Sequence, residues 1–355
     1  MPPIFIPIMK HAIVFMACFF IFSGHVFTQA TRTSVIDKGQ MPDLVLDKKG
    51  VVHIAYGKGD SIMYTTSKDG RMFTTPTLVA VLPGVYSFAM RGPQIASTSG
   101  GLVITASTKT GNLFSFVRTG TGPWSKPKRV NEMEGSAKEG LTDLSADGEN
   151  VCAIWLSVIK PKGQNLYAAR SKDGGKTWIN NTVYNSPDRT ICECCKPSVV
   201  VKGEKVFVMF RNWIDGNRDM YLTRSSNSGK RFDPAVKLGR ESWKLNGCPM
   251  DGGGFTLNSS GIPETIWQRA GQIYTCRLNA PERLLGEGRN GTIENVSGKM
   301  AYAWADNGNI VMMKPDGLKL NIDKGSLPIL KALPGNQVIC VWQNQGQIYS
   351  SVVAL

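Results

Sequence analysis

The cysteines offer the most distinctive chemistry in this chain. Cys192, Cys194 and Cys195 form a Cys-Glu-Cys-Cys cluster, and Cys248 follows within Asn246-Gly-Cys-Pro-Met-Asp-Gly252. Three chemistries suit such a set. In an oxidising compartment Cys248 pairs with one member of the cluster, and the other two can form a second bond. A soft metal, copper(I) or zinc, can sit among the thiolates, with Met90 or Met250 as extra ligands. Cys-x-Cys-Cys differs from the Cys-x-x-Cys pair of common zinc sites, and no His lies nearby. A redox or nucleophilic thiol is the third option. Cys152, Cys276 and Cys340 lie in apolar, strand-like contexts and read as small buried residues. Apart from a metal at the cluster, no cofactor is expected.

These residues need a scaffold, and a repeated turn supplies it. Ser171-Lys-Asp-Gly-Gly-Lys-Thr-Trp178 has the form S-x-D-x-G-x-T-W. Asp173 can accept hydrogen bonds from the N–H groups just beyond it, Gly174 and Gly175 tolerate positive φ, and Trp178 plugs the start of the next strand. Ser67 to Phe73 and Ser225 to Phe232 are degraded copies, with Phe in the Trp place. A repeated turn with a repeated plug predicts an array of small β units. Seven apolar strand cores can be counted: His53–Tyr56, Val103–Ala106, Cys152–Trp155, Val206–Phe210, Thr265–Trp267, Met300–Trp304 and Val338–Trp342. After a leader, about 325 residues shared among seven units gives roughly 46 each, the size of a four-stranded propeller blade. The last two units are short. Either they share one blade, or a strand near Ser34–Ile36 closes the ring.

The octapeptide resembles the Asp box, or BNR repeat, of the sialidase (neuraminidase) superfamily. The pair Cys192 to Pro197 and Asn246 to Gly252 looks like a bacterial sialidase-like branch. The resemblance covers nearly all of the chain after the leader. It implies an all-β fold, a single β-propeller of four-stranded blades, six in number where the strand count gives seven. In that superfamily the Asp box, here Ser171, Asp173, Gly175 and Trp178, is structural and lies opposite the active site. The implied activity is glycoside hydrolysis of the exo-α-sialidase type, with a glycan or other acidic carbohydrate as partner. Sialidases hold the sugar carboxylate with three arginines, because a planar guanidinium matches a carboxylate in bidentate fashion. Arg91, Arg211 and Arg269 come from three units and are the candidates here. Met41-Pro42 stands where the family's early Arg-Ile-Pro motif is expected, and no Tyr/Glu nucleophile pair is assignable by motif.

Propeller geometry places the loops that enter the innermost strands, and those joining second and third strands, around the central opening. Hydrolysis there needs two carboxyl groups flanking the bond, one kept protonated. By loop position Asp143, Glu193, Asp219 and Asp251 are the candidates, with Trp243, Trp213 and Asn246 available to a sugar. Each carboxylate also has a structural reading, such as Asp219 pairing Arg218 or Asp251 capping a turn before Gly252. A propeller that binds glycan or protein without catalysis, and an exported metal-binding protein, are the alternative functions.

The start of the chain reads as a secretory leader. Lys10 and His11 precede an apolar run from Ala12 to Phe22, and small residues near Thr28 and Ala30 suit cleavage. The expected boundaries are residues 1–30 for the leader and 31–355 for the propeller. Phe15-Met16-Ala17 is a poor lipobox before Cys18, so plain export is preferred to lipidation. The apolar run is short for a membrane span. The protein is expected to be exported, whether to the periplasm, the outer surface or the medium. The formal charge of +14 suits acidic sugars. No Lys/Arg run interleaved with aromatics indicates a nucleic-acid groove.

Overall fold

A computed structural model describes Met1 and residues 32–157, 165–187 and 191–355. The expected leader and Cys18 lie outside the described residues. Among the described residues there is no helix, and hence none long and apolar enough to cross a membrane. The strands form seven antiparallel four-stranded sheets, the blades of a β-propeller. The seven apolar cores counted in the sequence fall on the second strand of each blade, from Val52–Lys58 in the first to Gln337–Asn344 in the last.

The six blades implied by the resemblance are corrected to seven, and ring closure gives the reason. The N-terminal strand Thr33–Lys38 pairs with Gln347–Ala354 as the outer strand of the last sheet. The sixth blade has four strands of its own between Arg289 and Lys324, and the added strand completes the seventh. The closure removes an edge that would otherwise be open to pairing with another chain. Backbone and side-chain bonds support it, from Gly39 N–H to the Gly346 carbonyl (2.9 Å) and from Met41 N–H to Gln343 Oε1 (2.7 Å).

The core is divided into seven layers, one between each pair of adjacent blades. Strand alternation makes this possible, because a blade buried on both faces can present apolar side chains to both neighbours. In four blades an aromatic residue of the second strand sits directly opposite a tyrosine of the third: Trp155 and Tyr167, Phe210 and Tyr221, Trp267 and Tyr274, Trp342 and Tyr349. Their rings stack with centroids 5.9–6.4 Å apart.

The repeated turns join the third and fourth strands of their blades. In all three copies the serine Oγ donates to the following Asp or Asn and accepts the N–H of a glycine with positive φ. The sets are Ser67, Asp69 and Gly70; Ser171, Asp173 and Gly175; and Ser225, Asn227 and Gly229. Asp173 Oδ1 also accepts the N–H groups of Lys176 (3.1 Å) and Thr177 (2.9 Å), while Oδ2 accepts the Thr177 hydroxyl (2.6 Å). A side chain at Gly175 is excluded on two counts, its φ of 90° and a Cβ that would stand 2.7 Å from Val103 Cγ2. Trp178 reaches the preceding blade, donating Nε1–H to Ser115 Oγ (3.0 Å).

Asp173→Ala removes all of those acceptors and should cost about 1–2 kcal/mol of stability. Asn227→Ala, in a turn with fewer bonds, should cost less. Urea denaturation checks this through the midpoint at unchanged m-value. Equal losses in the two variants would refute the ranking.

Candidate functional site

The innermost strands surround an axial cavity of about 450 Å³. Its charged lining comes from six residues: Asp43, Asp143, Lys196, Asp251, Glu294 and Lys331. The carboxylates are placed by a backbone need. Innermost strands of neighbouring blades do not form a ladder, so N–H groups at their edges must find other acceptors. Asp43 Oδ2 accepts from Ile95 N–H (2.8 Å), Asp143 Oδ2 from Val199 N–H (2.8 Å) and Asp251 Oδ2 from Asn290 N–H (2.6 Å). Glu294 Oε1 makes a longer bond of the same kind with Ala332 N–H (3.4 Å).

Lysines complete the throat. Lys196 Nζ lies 2.9 Å from Asp143 Oδ1, and Lys331 Nζ lies 3.6 Å from Glu294 Oε2. Asp43 joins none of the ion pairs among the described residues. Burial pushes its carboxyl up to about 6, against the pull of Lys196 and the Ile95 N–H, and the nearby Asp143 adds to the rise. The charge of Glu294 in turn raises Lys331. Asp43 is thus pushed towards the acid form, while Asp143 in the same cavity is ion-paired with Lys196.

The second group of chemical residues lies where the loops entering the fourth and fifth blades meet. Cys194 and Cys248 form a disulfide between those loops. Cys192 and Cys195 are free thiols with sulfurs 3.3 Å apart, so the expected second bond is not formed. Cys192, Cys194 and Cys195 are buried, whereas Cys248 is exposed. Arg218 donates Nη1–H to Cys192 Sγ (3.0 Å) and stacks 4.2 Å from the Trp213 ring centre. The hydrogen bond shared with Cys195 draws the Cys192 thiol well below the usual range, aided by Arg218 and Arg211; burial pushes Cys195 up. Cys152, Cys276 and Cys340 are buried in the blades, as expected, and their thiols are raised by burial.

The three arginines do not present themselves as a carboxylate clamp. Arg211, 1% exposed, spends its guanidinium on the carbonyls of Asp251 (3.2 Å), Arg218 (2.7 Å) and Gln268 (2.8 Å). Arg269 is paired with Glu282 at 2.6 Å and lies over Tyr274. Arg91 bonds the carbonyls of Glu139 (2.6 Å) and Ala89 (3.0 Å), joining the loops of the second and third blades. Each has partners within the protein, and none of the three lines the axial cavity.

The other expected residues divide in the same way. Asp143 and Asp251 line the cavity, but both carboxylate oxygens of Asp251 are taken by the N–H groups of Gly253 and Asn290. Asp219 accepts Trp243 N–H (2.9 Å) with Lys237 nearby at 3.9 Å, so it fixes a loop. Glu193 and Asn246 are exposed, and neither lines the cavity. Trp243 is half-buried with its ring 5.5 Å from the Arg211 guanidinium carbon. Sequence reading missed Asp43, Glu294 and Lys331. Their signal was position alone, at inward-facing places on innermost strands.

No protein-family model matches the chain, and no curated protein matches it in sequence. Solved structures match in fold. A lectin of Burkholderia pseudomallei, BP39L, shares 7% identity over 90% of this chain and 97% of its own, with a TM-score of 0.62. An α-L-arabinanase of Penicillium chrysogenum, solved with arabinobiose, shares 12% identity over 92% and 98%, with a TM-score of 0.52. A sialidase of Trypanosoma rangeli, solved with sialic acid, shares 14% identity over 90% of this chain at a TM-score of 0.50, and this chain spans 54% of it. At these identities the likeness is one of architecture.

The raised carboxyl of Asp43 makes a pH prediction. The native state holds this proton more tightly than the unfolded chain, whose carboxyl keeps the ordinary value of 3.8. The resulting stabilisation is complete below that value and disappears as pH rises through about 6. Asp43→Asn keeps an acceptor for Ile95 N–H but cannot titrate, so its stability relative to wild type should rise across that window. Thermal melting of both proteins over this pH range tests it; parallel curves would count against a raised Asp43.

Proposed function

We propose that this protein is an exported, sialidase-like propeller that recognises a carbohydrate, preferentially an acidic one, in its axial cavity. The observation that carries this reading is a cavity of about 450 Å³ whose lining interleaves Lys196 and Lys331 with Asp43, Asp143 and Glu294. Its size is within the range of small-ligand sites. Ammonium groups suit a sugar carboxylate, and carboxylates suit hydroxyl groups as hydrogen-bond acceptors. Support also comes from the neighbours in fold: a lectin, an arabinanase solved with arabinobiose, and a sialidase solved with sialic acid. Export rests on the leader-like residues 1–30.

Glycoside hydrolysis is the second reading, and the Asp43 and Asp143 pair favours it. A carboxyl raised to about 6 can donate a proton to a leaving oxygen, while an ionised carboxylate activates water or attacks carbon. The acid is then Asp43, and the partner is Asp143 rather than Glu193 or Asp219. Asp143 is the one residue of the sequence-based catalytic set kept in this role.

Calorimetric titration with sialic acid, uronic acids and neutral oligosaccharides tests the binding reading. Lys196→Met should weaken binding of the acidic sugars about tenfold to a hundredfold by removing a charged hydrogen-bond donor. Failure of the folded wild-type protein to bind any of these sugars would eliminate it. For hydrolysis, release of a fluorogenic aglycone should fall by about 10²–10⁴ in Asp143→Asn while sugar binding persists. Binding without turnover in the wild type would leave recognition alone.

A further inference from the structure

The cysteine and arginine cluster beside the mouth is not used by carbohydrate recognition, and its geometry has a chemical meaning of its own. The sulfurs of Cys192, Cys194 and Cys195 stand 3.3, 3.7 and 3.9 Å from one another. Four sulfurs placed about 2.3 Å from a central zinc ion are about 3.8 Å apart along each edge of the tetrahedron. Three of the four corners are therefore close to the spacing that a thiolate-bound ion imposes. The fourth sulfur, that of Cys248, is bonded to Cys194 and so lies at the same place. The outer residues of the cluster, Cys192 and Cys195, have Cys-x-x-Cys spacing once Cys194 is passed over.

Charge provides a second, independent observation. Arg211 and Arg218 are 1% and 7% exposed, and neither joins a carboxylate in the ion pairs of the described residues. Two buried guanidinium groups without anions are costly. A divalent ion with four thiolates carries a net charge of two minus, which these two arginines would neutralise. The direct Arg218 N–H contact to Cys192 sulfur, at 3.0 Å, is the kind of outer bond that orients a metal ligand.

We infer that Cys192, Cys194, Cys195 and Cys248 form a four-thiolate site for a thiophilic cation, zinc(II) or copper(I), of which the Cys194–Cys248 disulfide is the oxidised, metal-free form. The two forms interconvert with a balanced step. A dithiol reductant supplies two electrons and two protons, cleaving the S–S bond to give two thiols and becoming a disulfide itself. Metal binding then displaces the protons still held by the four sulfurs. With all four positions filled by protein the ion has no open site, so its role is to clamp the loops entering the fourth and fifth blades. Exposed Cys248 gives the ion its way in.

The test uses the full chain, reduced with a dithiol under anaerobic conditions and freed of reductant. Cobalt(II) titration reads the geometry, through thiolate-to-metal charge transfer and intense tetrahedral d–d bands. Elemental analysis after zinc loading, and competition with a chromophoric copper(I) chelator, then distinguish the two ions. One ion per chain is expected, with binding abolished in Cys192→Ser/Cys195→Ser and unchanged in Cys340→Ser. Arg218→Gln should keep the stoichiometry but weaken affinity about tenfold to a hundredfold. Should the double variant fail to fold, Cys248→Ser serves, since its exposed thiol supplies the fourth ligand and its loss should erase the tetrahedral cobalt spectrum. Reduced, folded wild type that takes up neither zinc, cobalt nor copper(I) in stoichiometric amount overturns the proposal. Unaltered binding by folded Cys192→Ser/Cys195→Ser or by Cys248→Ser overturns it equally.

Discussion

The hydrogen bond from an axial carboxylate to a backbone N–H of the next blade is the constraint from which the centre of this molecule follows. Innermost strands stand side by side around the axis without pairing, so their edge amides would be buried unsatisfied. Asp43, Asp143 and Asp251 meet that need for Ile95, Val199 and Asn290, crossing from the first, third and fifth blades to the second, fourth and sixth. A buried amide left alone costs on the order of 1–3 kcal/mol, so these bonds matter individually to a marginally stable fold. The carboxylates then bring a second problem, their own mutual repulsion. Lys196 and Lys331 relieve it, and Asp43, raised chiefly by burial and then by Asp143, retains its proton to higher pH. A throat suited to polar ligands is thus a by-product of holding the blades together.

The meeting of the loops that enter the fourth and fifth blades is built on the opposite electrostatic plan. Arg211 crosses between the fourth and fifth blades by donating to carbonyls, with no carboxylate to balance it. Cys192 Sγ accepts from Arg218, and its thiol is drawn down first by the Cys195 hydrogen bond and then by the two arginines. Trp213 and Trp243 cover the two guanidinium groups with their ring faces, adding cation–π attraction where water is scarce. This arrangement also explains why a sialidase-type arginine triad is not presented. The guanidinium of Arg211 fastens loops, and that of Arg269 is held by Glu282. A likeness of architecture to sialidases leaves the centre free to use other groups.

How much could be read in advance depended on whether a residue's role was local. The turn around Asp173 was legible because its bonds span a few residues, and the structure shows the same bond pattern at Asp69 and Asn227. The second strands were legible because being buried on both faces demands uninterrupted apolar side chains. Asp43 was overlooked within Met41-Pro-Asp-Leu-Val-Leu46, where it reads as a polar interruption of a strand. Its partner Ile95 lies 52 residues away, and its neighbour Asp143 is farther still. The partner of Arg269 was hidden in a similar way, since Glu282 lies 13 residues on, beyond a further strand.

By itself, then, the sequence determined the repeating unit, its turns, the number of strand cores and a strand near Ser34 available to close the ring, because each follows from short-range pattern and composition. Tertiary structure alone decided that Thr33–Lys38 completes a seventh blade and that Cys194, not its neighbours, is bonded to Cys248. It also decided which carboxylates face the axis and which arginines are already satisfied. The physical reason is that a ring brings together residues one or more blades apart. Burial, charge compensation and hydrogen-bond satisfaction there depend on distances that no local pattern encodes.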